Sequence, residues 1–300
     1  MTAYAIEQLD QLELSDDRAI LGMDMMSPYV WREGDAYRLL FRAVQRPFTT
    51  KCPTGLIYCG RSKDGLDFEI EDGAVIAPGP APEDAGGCED PTLVRNDKAG
   101  DYRVYYTGVD AARAQGSLLV AEGPDVRHLK KRAVMLKAPP GAGNIKEATL
   151  VQTASGDWRL FFEYAAHNLS RIGVASGPCM DGPWTIIADP FSVRERSWDN
   201  SHLSTGPIAF YPGQDPVMFY NGATLDARWR IGWVSFDRDF TRVTGRGLEP
   251  LLVPPPARDR AATDIAFAAS SIVENHAISL YYSLEDRTLH RAIVSVYDHI

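Results

Sequence analysis

Acidic and polar residues recur in this chain at the heads of short apolar segments. Asp24 and Ser27 lead into Pro28-Tyr-Val-Trp31, Glu89 and Asp90 into Pro91-Thr-Leu-Val94, and Lys146 and Glu147 into Ala148-Thr-Leu-Val151. Asp199, Asn200 and His202 stand before Thr205-Gly-Pro-Ile-Ala209, and Thr263 and Asp264 before Ala268-Ala-Ser-Ser-Ile272. If these segment heads converge on one cavity, the chemistry they suit is cleavage of a glycosidic bond. That reaction needs one protonated carboxyl to assist the leaving oxygen and one ionised carboxylate to act on water or on the sugar. Burial and mutual repulsion hold the pKa values of such a pair apart. Capping a turn is the competing use of any single acid among them, but it does not account for a ring of them.

The elements that must position these residues form a repeat of about 60 residues. Each copy centres on an apolar-aromatic run: Ala36-Tyr-Arg-Leu-Leu-Phe-Arg42, Asp101-Tyr-Arg-Val-Tyr-Tyr-Thr107, Asp157-Trp-Arg-Leu-Phe-Phe-Glu163, Asp215-Pro-Val-Met-Phe-Tyr-Asn221 and Ala277-Ile-Ser-Leu-Tyr-Tyr-Ser283. Such residues suit a pleated surface. A third apolar segment follows each run, as at Gly55-Leu-Ile-Tyr-Cys-Gly60 and Arg171-Ile-Gly-Val-Ala175, and a fourth in some copies, as at Phe68-Glu-Ile70 and Trp184-Thr-Ile186. Five copies of three to four strands without helical periodicity predict an all-β chain, a five-bladed β-propeller whose leading strands line a central channel. A β-sandwich does not require five similar units. No low-complexity linker divides the chain, so residues 1–300 are expected to form one domain, with 1–22 as an N-terminal extension packing on the propeller.

Composition narrows the partners. The formal net charge is −9 and the pI about 5.2, a field that repels nucleic acid and anionic lipid. No apolar run approaches the length of a membrane span. Met1 to Leu21 lacks a basic n-region followed by an apolar h-region, so cytoplasmic residence is expected. Cys52, Cys59, Cys88 and Cys179 have no metal-ligand spacing and are expected to be reduced, and neither a metal nor a cofactor is predicted. The expected partner is a small oligosaccharide or glycoside, and a homo-oligomer is compatible with the sequence. The sequon Asn168-Leu-Ser170 is uninformative without secretion.

Gly86-Gly-Cys-Glu-Asp-Pro-Thr92, followed by Asp101-Tyr-Arg-Val-Tyr-Tyr-Thr-Gly108, resembles the G-x-x-E-D-P-R…Y-Y-x-x-Y-T signature of glycoside hydrolase family 130, the β-mannoside phosphorylases and β-1,2-mannosidases. Other pieces fall in the same order. Ser27-Pro28 with Leu39-Leu-Phe-Arg42 resembles its N-P…L-L-Y-R, and Ser62-Lys-Asp-Gly65 its S-x-D-G. Phe219-Tyr-Asn-Gly222 resembles its Y-H-G, and Tyr281-Tyr-Ser-Leu-Glu-Asp286 its Y-Y-G-A-A-D. The resemblance runs from about residue 22 to the end of the chain. It implies that Asp90 is the catalytic acid, that Arg42 and Asp286 hold the sugar at the cleaved end, and that Asp64 assists. Ser27, Glu89, His202, Asn221 and Asp264 complete the predicted substrate-binding set.

Three departures bear on the nucleophile. Thr92 stands where the family has the arginine of E-D-P-R, Glu163 where its third blade has a basic residue, and Asn221 where it has the histidine of Y-H-G. A phosphate dianion needs charged or multiple N–H donors to offset its desolvation. The expectation is therefore hydrolysis, with Glu163, or Glu147 in the same blade, as the base; the resemblance implies that it is inverting and acts on a β-linked mannoside or related small oligosaccharide. Glu147-Ala148 also resembles the third acid of the five-bladed arabinanases and xylosidases of family 43, although the first-blade Asp-Pro of that family is Ser27-Pro28 here. A sugar-binding propeller without catalysis is the alternative from a different class, and a phosphorylase the alternative within the family.

Overall fold

The computed structural model describes residues 2–15, 17–96, 99–138, 142–256 and 264–298. Among them the protein is all-β, with two short 3-10 turns at Asp17–Ala19 and Pro82–Asp84. No helix of the described residues is long and apolar enough to cross a membrane.

The strands form antiparallel meanders in chain order. The first sheet runs Met23–Glu33, Ala36–Gln45, Leu56–Ser62 and Asp67–Ile70. The second runs Gly87–Asn96, Asp101–Val109, Gly116–Gly123 and Lys130–Leu136, and the third Gly143–Gln152, Trp158–Ala166, Leu169–Gly177 and Thr185–Ile187. A fourth meander is hydrogen-bonded in two pieces. His202–Ser204, Asn221–Ala223 and Trp229–Ile231 make one, and Ile208–Ala209, Val217–Met218, Val234–Phe236 and Val243–Arg246 the other. Phe219 N donates to Pro207 O at 3.0 Å and Gly232 N to Tyr220 O at 2.9 Å, carrying the chain pairing across the break. The last sheet holds Ala266–Glu274, Ala277–Leu284 and Thr288–Asp298.

Each apolar-aromatic run is a second strand buried on both faces, which explains why its sequence is apolar without alternation. Leu39 and Phe41 pack towards Tyr281 and Leu289 of the last sheet, while Leu40 between them packs towards Cys88, Val104 and Tyr106 of the second. Tyr105 faces the third sheet, Phe161 the fourth meander, and Val217 and Phe219 the last sheet. Five apolar clusters thus fill the spaces between consecutive sheets, the last of them between the final sheet and the first. The arrangement is propeller-like.

Within residues 1–22, expected as an extension packing on the propeller, residues 2–15 are hydrogen-bonded to the sheets. Thr2–Gln11 is the outermost strand of the last sheet, antiparallel to Thr288–Asp298, and Glu13–Ser15 lies parallel to Asp67–Ile70 on the first. The last meander has only three strands of its own. The N-terminal strand supplies the fourth and covers an edge that would otherwise be unpaired.

A second device joins the leading strands. Thr92 Oγ1 donates to Ala148 O at 2.6 Å, Thr149 Oγ1 to Gly206 O at 3.0 Å, and Ser270 Oγ to Pro28 O at 2.8 Å. Each hydroxyl reaches the corresponding carbonyl of the next leading strand. Tyr29, Thr92, Thr149, Pro207 and Ser270, one from each meander, line one cavity of about 80 Å³.

Candidate active site

The leading strands of the first three sheets break register at one equivalent place, between Met26 and Tyr29, Glu89 and Thr92, and Lys146 and Thr149. At each break a non-glycine residue is left-handed: Ser27 (φ 53°), Asp90 (φ 51°) and Glu147 (φ 50°). Such bulges re-aim a side chain, and the strain of a left-handed residue persists only where its surroundings hold it. Asp286 arrives differently. Glu285 and Asp286 both have positive φ (56° and 50°), and Arg287 N donates to Leu284 O at 3.0 Å, the geometry of a two-residue hairpin turn.

These residues meet around two cations. Asp90 Oδ1 accepts the Ser27 hydroxyl at 2.8 Å and lies 3.5 Å from Arg42 Nη1. Arg42 also donates to Glu89 Oε1 at 2.9 Å and, through two nitrogens, to Thr54 O at 2.7 and 3.0 Å. Lys146 Nζ is 3.1 Å from Glu89 Oε2, and in the ladder Lys146 lies opposite Glu163. Glu163 Oε1 accepts the Ser170 hydroxyl at 2.8 Å. The Gly86-Gly87 pair makes this closeness feasible. Thr54 N donates to Gly86 O and Cys88 N to Gly55 O, both at 2.9 Å. A Cβ on Gly87 would lie 2.8 Å from Thr54 N, and one on Gly55 2.9 Å from the Arg42 side chain.

Charge is distributed unevenly. Burial pushes Glu147 well above the ordinary glutamate range; Asp90 and Glu163 add to that, against Lys146 and Arg42. Burial also raises Glu163, opposed by the Ser170 hydroxyl and Lys146, and raises Asp286, where Arg42 opposes. Burial alone would raise Glu89 too, but Arg42 and Lys146 bring it below its usual value. The Glu147 shift has a consequence for stability. Its folded pKa is raised, so its contribution is fully present below the unfolded pKa and is lost as pH rises through the folded one. Glu147→Gln is therefore expected to unfold at a higher temperature than the parent at alkaline pH, with the gap closing towards pH 4; a thermal melt series across pH measures it.

Of the predicted residues, Asp90, Glu147, Glu163, Ser27, Arg42, Glu89 and Asp286 come together here. His202 lies next to them: its Nδ1 accepts from Ser170 N at 3.2 Å, and burial, with Arg171, lowers its pKa. Three predicted binders are placed otherwise. Asp64 is exposed and accepts the N–H groups of Leu66 and Asp67 at 2.9 and 3.0 Å, capping its own turn. That turn follows Ser62, which pairs with Tyr37, whereas Arg42 pairs with Ile57. Five residues of strand, about 16 Å, therefore separate Asp64 from the site end. Asn221 is fully buried, donating to Thr205 O and Ala268 O at 2.9 and 3.2 Å and accepting Ala268 N at 2.7 Å. It fastens the fourth meander to the last sheet and has no face for a ligand. Asn221→Ala is expected to cost about 3 kcal/mol, because it leaves buried backbone groups unpaired; a urea unfolding curve checks this. Asp264 pairs with Arg228 at 3.1 Å, beside Trp229 and outside the acid cluster. Thr263 lies outside the described residues. Asp199 is taken up by Arg194, Arg246 and Tyr220.

Sequence reasoning gave no role to Lys146 beyond its place at a strand head, and it missed Thr54, Arg171 and Trp229. Only Lys146 had a signal, its position beside Glu147. Among the described residues no group of three or more His, Cys, Asp or Glu side chains is placed to hold a metal ion.

No protein-family model matches the sequence, and no curated protein matches it. Solved structures share its fold. The β-1,2-mannobiose phosphorylase from Listeria innocua, in complex with β-1,2-mannobiose, has a TM-score of 0.77 at 16% identity, covering 96% of each chain. A structure from the GH130 family of mannoside phosphorylases, described as containing hydrolases that target β-1,2 mannosidic linkages in Candida mannan, has 0.77 at 19%, covering 96% of this chain and 94% of its own. MPT-4, a mannose phosphorylase from Leishmania mexicana in complex with phosphate, has 0.69 at 11%, covering 97% and 88%. At these identities the likeness establishes the fold.

Proposed function

We propose that this protein is an inverting glycoside hydrolase of family 130 type, built as one five-bladed β-propeller and acting on a β-linked mannoside or related small oligosaccharide. The observation that carries this reading is the convergence of Asp90, Glu147 and Glu163 around Arg42 and Lys146. Asp90 delivers the proton to the leaving oxygen. Glu163, whose rise in pKa Lys146 and the Ser170 hydroxyl oppose, is the base that polarises water. Arg42 and Asp286 hold the sugar at the cleaved end, and Ser27 and Glu89 orient Asp90 and Arg42.

Water is favoured over phosphate as nucleophile by what the nearby side chains already do. Thr92 spends its hydroxyl hydrogen on Ala148 O, and Asn221 spends its amide on the backbone. Lys146 pairs with Glu89, and Arg171 donates to Ser170 O and Ser201 O at 2.7 Å. An ionised Glu163 accepts hydrogen bonds only and repels an anion. In phosphate buffer the product is expected to be free sugar; accumulation of a sugar 1-phosphate would overturn the hydrolase reading in favour of phosphorolysis.

A second assignment of the acid is favoured by a specific feature. Glu147 occupies the same left-handed bulge as Asp90, one sheet on, and burial pushes its pKa well above the ordinary glutamate range. In that reading Glu147 is the acid and Asp90 steers its proton. An aryl glycoside with an acidic phenol as leaving group separates the two. The variant that lacks the true acid keeps most of its rate on that substrate and loses it on a disaccharide.

A further inference from the structure

Apart from Asp286, on a turn of the last sheet, the charged residues of the site come from the first three sheets, and the wall formed by the fourth meander and the last leading strand is of a different character. Phe267 is the counterpart, in the last leading strand, of Glu89 and Lys146, since it stands one residue before Ala268 as they stand one before Asp90 and Glu147. The Trp229 ring, half-buried, meets Phe267 edge-on with centroids 5.3 Å apart and an interplanar angle of 61°. The His202 ring also packs against it, tilted by 46° with centroids 5.6 Å apart. The Trp229 backbone is held by the ladder to Ala223 and by a 3.1 Å bond from its N–H to Asp264 O, so the indole sits on a fixed strand rather than a loop. His202 and Ser170 link this wall to Glu163 in two hydrogen bonds. Because His202 Nδ1 accepts Ser170 N–H, the neutral ring carries its hydrogen on Nε2, a donor beside the indole.

We infer that Trp229, backed by Phe267 and flanked by the His202 Nε2–H donor, is a stacking platform for the second pyranose ring, the sugar on the leaving-group side of the scissile bond. A pyranose presents an apolar C–H face and a rim of hydroxyls. The first suits an aromatic face and the second suits a few fixed donors. The inference rests on the glycoside reading above and adds a disaccharide-sized substrate to it.

The test is calorimetric titration in the Asp90→Asn background with β-1,2-mannobiose, β-1,4-mannobiose and cellobiose, against mannose and glucose. Adding Trp229→Ala is expected to weaken the disaccharide that binds by about tenfold and its monosaccharide by less than about twofold, while Trp229→Tyr retains most of the affinity. Unchanged disaccharide affinity, or equal loss for both sugars in a variant with parental thermal unfolding, overturns the platform. A wild type that cleaves none of the disaccharides but binds one in a Trp229-dependent way keeps the platform and overturns the hydrolase. Cleavage whose kcat/KM does not change in Trp229→Ala does the reverse. A protein that binds none of these sugars overturns both.

Discussion

Asp90→Asn is expected to lose about 10²–10⁴-fold in turnover of a β-linked mannoside, the usual worth of a positioned general acid, with only a modest change in sugar affinity. The substitution is nearly isosteric. The amide oxygen can still accept the Ser27 hydroxyl that Asp90 Oδ1 accepts at 2.8 Å, and Arg42 remains fixed by Glu89 and Thr54 O. What disappears is the exchangeable proton. Steady-state kinetics on a mannobiose and calorimetry on the same variant read the two effects separately. Full retained activity would remove Asp90 from the chemistry. A parent that binds sugar but turns nothing over would make the protein a sugar-binding propeller.

Glu163→Gln is the second large effect, a loss of about 10²–10⁴-fold that phosphate should not rescue. The pH profile gives an independent reading. Glu163 must be ionised to polarise water, and burial raises its pKa, so the acid limb of kcat/KM should lie above the ordinary glutamate range. Lys146 opposes that rise. Lys146→Gln should therefore move the acid limb to still higher pH, with its rate recovering as pH rises. Asp90, Glu147 and Glu163 act on one another electrostatically, so both limbs belong to the group rather than to single residues. An acid limb unmoved in Lys146→Gln would show that Glu163 is not the base.

The all-β architecture and much of the acid cluster were legible in the sequence because both depend on local, repeating patterns. The five apolar-aromatic runs are the second strands, and their unbroken apolar character follows from burial on two faces. Asp90, Glu147 and Ser27 could be picked out because each begins an equivalent apolar segment, and equivalent segments adopt the same bulge. Motif position failed for Asp64 and Asn221, for opposite reasons. Asp64 is consumed by its own turn, an interaction over three residues that the pattern Ser62-Lys-Asp-Gly65 would have allowed as readily as a ligand role. Asn221 is consumed by residues 16 and 47 positions away, which no local pattern encodes.

The strand content, the repeat, the acidic field and the set of residues able to exchange protons all follow from residue type and spacing along the chain. Which acids share a space, and hence which way their pKa values move, is set by the packing of the sheets. Glu147 is pushed up because burial and two neighbouring carboxyls from different strands disfavour the anion, whereas Glu89, also buried, is brought down because Arg42 and Lys146 reach it from two other sheets. The tertiary structure also decided that Thr2–Gln11 completes the last sheet, because the partner of an edge strand depends on which edge is left open when the chain closes. Desolvation and through-space charge act over distances that chain spacing does not fix, which is why the pKa of one residue type, glutamate, is lowered at position 89 and raised at position 147 of one site.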